Sequence, residues 1–283
     1  MKRTIKLFLE TINNCFGLFS WLLKNCLFRS FTYGKRSSRK ETPVSILANG
    51  PTLMDELSTL DNLGITDVCM LNDAAKTELF WTYKPNYYIF ADPLYFNRDL
   101  IDNQNPILSA FSRVDWNIVV FVPVGAYKMT KQLFANNNKI RVRKIPGSLP
   151  SIVDNDRIRN MFFRHKMACP PVQNVVVGAI YSLIMEGYIH INLFGVGHSW
   201  LSALAVNDKN EVCLRDVHYY EKDVEMKPWY TVNGEPYKMH VILRDLAQMF
   251  DSYHQLRCFA DSLGDVTITN YTEESYIDAF ERK

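Results

Sequence analysis

The chain reads as an α/β protein, a single and largely parallel sheet with helices on both faces. Three observations predict this. Past Pro43, seven short runs rich in β-branched and aromatic residues follow one another: Val44–Ala48, Val68–Leu71, Tyr87–Ala91, Ile118–Val122, Ile140–Ile145, Ile191–Gly195 and Val266–Thr269. They are apolar runs rather than strict alternations, as expected for strands covered on both sides. Between several of them lie stretches with helical spacing, notably Asn174–Gly187 and His240–Leu263, which supply the crossovers a parallel sheet needs.

Composition sets the outer bounds. With 283 residues, 47% hydrophobic and 13% aromatic, the chain carries enough apolar side chain to offset its ordering entropy, so disorder is excluded. Only one stretch approaches spanning length, which excludes a polytopic membrane protein. Thirty-two Lys and Arg face thirty Asp and Glu; this balance gives no basis for nucleic-acid binding, which needs a basic excess on one face. Cysteines at 15, 26, 69, 169, 213 and 258 show no close pair. They suit neither a disulfide framework nor a zinc site and are expected to be mostly core residues in a reducing compartment.

The first forty residues differ from the rest. From Ile5 to Phe28 the chain is mostly apolar, with Lys2 and Arg3 before it and Arg29, Lys35, Arg36, Arg39 and Lys40 after it. No small-residue cleavage site follows, which argues against a signal peptide. Glu10, Asn13, Asn14, Gly17, Ser20, Lys24 and Asn25 recur every three or four residues and share a helical face, while Phe8, Ile12, Phe16, Phe19, Leu22, Leu23 and Leu27 line the other. Residues 1–31 thus predict an amphipathic helix in a membrane interface, with residues 1–40 meeting an anionic surface. A helix packed on the protein's own core is the alternative. Residues 32–42, basic and rich in Ser, read as a flexible linker, and 43–283 as the globular body, which is left mildly acidic.

In parallel sheets ligands bind beyond the carboxyl ends of the strands, and candidate residues gather there. The first strand runs into Asn49-Gly50-Pro51-Thr52-Leu53. Gly turns the backbone and Pro suits the first helical position, so the helix offers free N–H groups to a phosphate. The turn is neither a P-loop nor the three-glycine dinucleotide fingerprint. The second strand ends in Asn72-Asp73 and the third in Asp92-Pro93. Asn72 suits a base or ribose, and Asp92 a hydroxyl or a proton; each is equally a turn or cap residue. Gln173-Asn174 opens a helix, and Gly195-Val196-Gly197-His198-Ser199 follows a later strand. His198 reads as a base, a phosphate ligand, a supporting residue or a cap. The stretch at about 201–239 lacks core periodicity and concentrates Tyr219, Tyr220, Trp229, Tyr230 and Tyr237, which suits a lid. His240 stands before a long helix with an inner stripe of Leu243, Leu246, Phe250, Tyr253 and Leu256, placed as a general base.

This order of motifs resembles the bacterial sialyltransferases of the Campylobacter type and the wider motility-accessory-factor and MptE-like proteins. The resemblance spans roughly Pro43 to Phe280 and rests on Asn49-Gly50-Pro51-Thr52-Leu53, the strand ending at Asn72, the Gly187-Tyr188 helix end, the tyrosine-bearing lid, the late His and a closing Asn270–Ser275 turn. It implies a single Rossmann-like domain, a variant of the GT-A-like arrangement, that needs no metal and no cofactor. It further implies a CMP donor contacted by Asn49 and Asn72, a base at His240 with His218 as rival, and a leaving phosphate held by Tyr219, Tyr220, Tyr230 or Tyr237. The chain departs from the pattern at Val172-Gln173-Asn174, where the sialyltransferases carry Arg, and at Gly195-Val196-Gly197, where they carry Gly-Ile-Asp.

The expectation is a cytoplasmic, metal-independent glycosyltransferase, peripheral on the inner face of the cell membrane, that moves a sugar from a nucleotide-sugar donor to a surface-glycan or lipid-linked acceptor; the resemblance implies a nonulosonic acid from a CMP donor. Gly50, Pro51, Thr52, Asp73, Asp92, Asn174, Gly195, His198 and Ser199 complete the expected donor site. Two other readings stand beside it: diphosphate transfer from ATP with Mg²⁺, as in MptE-like proteins, and a non-catalytic membrane scaffold. The tyrosine-rich lid and basic linker also suit homo-oligomer formation.

Overall fold

The structure, a computed structural model, describes residues 2–27, 32–64, 66–96, 106–214, 227–231 and 234–283. An N-terminal helix α1 (Lys2–Leu27) precedes an alternation of strand and helix: β1 (Val44–Leu47), α2 (Leu53–Asn62), β2 (Asp67–Leu71), α3 (Glu78–Tyr83), β3 (Tyr87–Ile89), α4 (Pro106–Ser112), β4 (Ile118–Pro123), α5 (Tyr127–Leu133) and β5 (Ile140–Ile145). Then follow α6 (Asp156–Arg164), α7 (Val175–Met185), β6 (His190–Phe194), α8 (Trp200–Ala203), β7 (Leu204–Val206), β8 (Val212–Leu214), β9 (Lys227–Pro228), α9 (Met239–Leu263), β10 (Thr267–Asn270) and β11 (Glu281–Arg282).

Eight strands form one sheet in the order β11-β10-β6-β1-β2-β3-β4-β5, and every pairing in it is parallel. All seven predicted strands belong to it, so the α/β reading holds. Successive side chains on a strand point to opposite faces, and two cores result. Val44, Ile46, Cys69, Leu71, Tyr87 and Ile89 pack with α6, α7 and α9. Leu47, Val68, Met70, Tyr88 and Phe90 pack with α2, α3 and α4. Helix α7 lies under the sheet with Val176 to Met185 all buried, as an apolar sequence without a polar face requires. Strands β7, β8 and β9 make a separate antiparallel sheet.

Chain order reverses at β1: β2 to β5 extend from one side of it, and β6, β10 and β11 from the other. The loops after β1 and β6 therefore part at the carboxyl edge, where open sheets take their ligands.

Helix α1 rests on the body by one side. Trp21 is buried, donates its Nε1–H to the Ser148 carbonyl at 3.0 Å and meets the Phe162 ring edge-on. Gly17 lies so close to Ile152 that a Cβ would stand 2.2 Å from its Cγ2. Ile12, Phe16, Phe19 and Leu23 are exposed. At 100° per residue this stripe lies about half a turn from Gly17, Trp21 and Asn25. No described helix is long and apolar enough to cross a membrane.

Residues 32–42, expected to form a flexible linker, run extended along the body and are tied to it. Gly34 N–H donates to the His165 carbonyl, Ser37 N–H to Met185 and Lys40 N–H to Gly187, each at 2.9 Å. The Arg36 guanidinium pairs with Asp265 at 2.8 Å and donates to the Ile184 carbonyl. Lys40 Nζ donates to the Tyr87 hydroxyl at 2.7 Å and sits over the Tyr188 ring. This strap enters β1 at the amino edge of the sheet, opposite the loops after β1 and β6. Among the described cysteines, Cys69, Cys169 and Cys213 are buried and Cys15 and Cys258 exposed; none is in a disulfide.

Candidate functional site

Two turns interlock at the chain reversal. Gly50 N–H donates to the Gly195 carbonyl at 2.9 Å, and Ala48 N–H to Phe194 at the same distance. Gly195 has φ +65°, in the left-handed region open to glycine. Glu56, in the first turn of α2, is buried; its carboxylate accepts from Gly195 N–H at 2.6 Å and from Glu273 N–H at 3.1 Å. Thr272 Oγ1 accepts from Val196 N–H, and the Ser275 hydroxyl donates to the Val196 carbonyl, both at 2.8 Å. The closing Asn270–Ser275 segment thus clamps the turn after β6. The α2 amino terminus was expected to cradle a phosphate. There, Leu53 and Asp55 N–H instead donate to the Gly50 and Thr52 carbonyls, and the negative group at the junction is Glu56. Thr52 Oγ1 is buried without a hydrogen-bond partner.

Beside this junction opens a cleft of about 630 Å³, within the range of small-molecule sites. Asn72 and Asp92 line it from the ends of β2 and β3, Gln173 and Asn174 from the start of α7, and Asp245 from α9; Trp229 and Tyr237 face it from the segment preceding α9. Asn72 has φ +45°, a conformation Asn tolerates better than most residues. It is fixed by the Tyr88 hydroxyl on its carbonyl and by Ala91 N–H, which donates to its Oδ1 at 3.4 Å. Asn174 caps α7 by accepting from Val176 N–H at 2.8 Å. The Trp229 and Tyr237 rings meet at 5.2 Å between centroids. The described lining holds two carboxylates, three amides and two aromatic rings, with no Lys, Arg or His.

The candidates divide accordingly. Asn72, Asp92, Asn174 and Tyr237 share the cleft. Asn49, Gly50, Pro51, Thr52 and Gly195 belong to the interlocked turns and do not line it. Asp73 pairs with Lys76 at 2.7 Å. The Ser199 carbonyl accepts from Ser202, in the turn of α8. Tyr230 is exposed. His240 is exposed in the first turn of α9; Ile242, Asp245, Leu246 and Met249 form the wall, and His240 projects elsewhere. His218, Tyr219 and Tyr220 lie outside the described residues. Asp245 joins the cleft without having been among the expected site residues. Its signal was a carboxylate at helical spacing from Ile242 and Met249, inside the buried stripe.

His198 has φ +55° and shares a hydrogen bond through Nε2 with the buried Tyr253 hydroxyl. Burial lowers its pKa to about 3, so it is neutral at ordinary pH. The folded state then resists a proton that the unfolded chain accepts below about pH 6.5. Stability should be full above that pH and fall as pH drops toward 3, by at most about 1.4 kcal/mol per pH unit from this group. Urea denaturation between pH 7 and pH 4 measures the slope, and His198→Asn, compatible with positive φ, should flatten it. An unchanged slope in that variant would remove His198 as the cause.

Among the described residues no group of three or more His, Cys, Asp or Glu is placed to hold a metal ion. No protein-family model matches the chain, and a search of curated proteins finds no match either.

Proposed function

We propose that the chain is a glycosyltransferase that holds a nucleotide-sugar donor in this cleft. The observation that carries the reading is the lining: amides and carboxylates facing aromatic rings at the carboxyl edge of a parallel sheet. Asn72, Asp92, Gln173 and Asn174 are suited to sugar and ribose hydroxyls, and Trp229 and Tyr237 to the apolar face of a sugar ring. The base is a carboxylate of the cleft rather than His240, and Asp245 is assigned the role. It takes the proton of the acceptor hydroxyl as the oxygen attacks the anomeric carbon, and the nucleotide phosphate leaves toward the positive end of α7. The exposed stripe on α1 supports the second half of the reading, peripheral attachment to the inner face of the cell membrane beside lipid-linked acceptors.

Incubation of the full chain with CMP- and UDP-sugars tests it. At least one donor should bind and be turned over, and Asp245→Asn should cut turnover by about 100-fold or more while donor Kd changes little. Failure of every donor to bind or hydrolyse overturns the reading. The pair Asp92 and Asp245 gives diphosphate transfer a foothold as well, because Mg²⁺ is commonly held by one or two carboxylates plus substrate phosphates. A thermal shift with ATP and Mg²⁺, absent with CMP, would favour that reaction.

A further inference from the structure

A second cavity, of about 350 Å³, opens away from the cleft, where β5, the end of α7 and the residues after α6 meet the strap. Its charged lining is Arg143, Lys144, Lys166 and Glu186. Glu186 is buried and pairs with Arg143, which occupies one of three cations. Among the described residues neither Lys144 nor Lys166 has a carboxylate at ion-pair distance; the Lys144 ammonium lies 4.8 Å over the Tyr127 ring. The cavity thus carries an excess of two positive charges, walled by Tyr33, Tyr127 and Tyr181.

Lys166 is placed there by the end of α6: its φ of +54° is the left-handed turn that closes a helix, and Met167 N–H donates back to the Phe162 carbonyl at 3.0 Å. Here Lys166 N–H donates to the Phe163 carbonyl at 3.1 Å, and the Thr32 hydroxyl of the strap donates to the Lys166 carbonyl. Burial, and then Arg143, push the Lys166 ammonium down from its ordinary value, against the opposing pull of Glu186. A half-buried cation without a full counter-charge is what an anionic ligand would relieve.

We propose that this cavity binds a phosphomonoester. Such a group carries about −1.5 to −2 at neutral pH, which matches the excess of two. The remaining N–H groups of Arg143 suit its oxygens in a planar fork, and Lys144 and Lys166 close on it as point charges. The tyrosine walls take the organic part of the ester. Four residues separate Leu27, at the end of α1, from Thr32 on the cavity rim, and the five steps reach at most about 18 Å. A lipid headgroup and a soluble phosphate ester are therefore both within its chemistry. The inference is independent of the sugar-transfer reading.

The test uses the full chain, with calorimetric titration of glycerol 3-phosphate and co-sedimentation with phosphatidylcholine vesicles with and without phosphatidic acid. Lys166→Gln should weaken binding by about tenfold or more, the loss expected for one charge-assisted hydrogen bond. Lys139→Gln, an exposed lysine outside the cavity, should leave it unchanged. Lys166-dependent binding of glycerol 3-phosphate assigns a soluble ester. Lys166-dependent binding to phosphatidic acid vesicles alone assigns a lipid. Lys144→Gln carries the same test if Lys166→Gln does not fold. The proposal is overturned if no probe binds, or if every probe binds the cavity variants as it binds Lys139→Gln.

Discussion

Gly50→Ala is expected to destabilise the fold by roughly 3–5 kcal/mol. The added methyl would stand 2.3 Å from the Gly195 carbonyl oxygen and 2.7 Å from its carbon. Both are backbone atoms, so no rotamer change relieves the contact, and the two turns must part. Overpacking alone costs about 1–3 kcal/mol and occasionally more. Parting the turns also strains the Gly50–Gly195 hydrogen bond and the two N–H groups that converge on buried Glu56, at about 1 kcal/mol each. Gly195 cannot yield by shifting toward β1, because its own Cα position already faces the Ala48 carbonyl, 3.1 Å from where a Cβ would lie. Against a total stability of about 5–15 kcal/mol, the loss should be plain in the urea midpoint. Gly125→Ala, where a Cβ meets nothing within 4 Å, is the control and should be close to neutral. A Gly50→Ala protein as stable as its parent would mean that the two turns do not touch.

That junction also shows where reading the sequence succeeds and where it stops. The strands were legible because burial on both faces forces continuous apolar runs, and Ile140–Ile145 even has the predicted ends. Asn72 and Asp92 were legible together because parallel strands put all their carboxyl ends on one edge, whereas Asn174 reaches the same cleft from the start of α7. The use of Asn49-Gly50-Pro51 was not legible. Its role depends on Gly195 and Glu273, distant in the chain, and a turn motif carries no record of what packs against it. The strap failed to show for the same reason: its Ser- and Lys-rich composition says nothing of Gly187, where a Cβ would lie 2.0 Å from the Ser38 carbonyl oxygen. Asp245 was missed through phase. The expected stripe began at Leu243, which is 43% exposed, whereas Ile242 is buried. The first turns of α9 face a segment with no periodicity of its own, so local spacing could not fix their orientation.

Under the proposed membrane attachment, replacing Phe16 and Phe19 together by Glu should abolish vesicle binding and leave the fold intact. The two rings are 67% and 64% exposed, and water offers them nothing. They lie about half a turn from Gly17 and Trp21, so their loss does not disturb the contacts with Ile152, Ser148 and Phe162. Burying a Phe side chain is worth about 2 kcal/mol. Losing two, before counting the charges introduced, weakens binding by roughly 1,000-fold. Three cations of the basic segment after α1 already have partners within the chain. Arg36 is committed to Asp265 and Lys40 to Tyr87 and Tyr188, and Arg39 pairs with Glu41 at 2.9 Å. Co-sedimentation with phosphatidylglycerol vesicles should accordingly be lost in the double variant yet survive moderate salt in the parent, since screening acts on exposed charges and spares apolar contact. Retention of full binding by Phe16→Glu/Phe19→Glu would remove the apolar stripe as the anchor. Loss of parental binding at moderate salt would instead assign attachment to charge, carried by the basic residues of the N-terminal segment that the strap leaves unpaired.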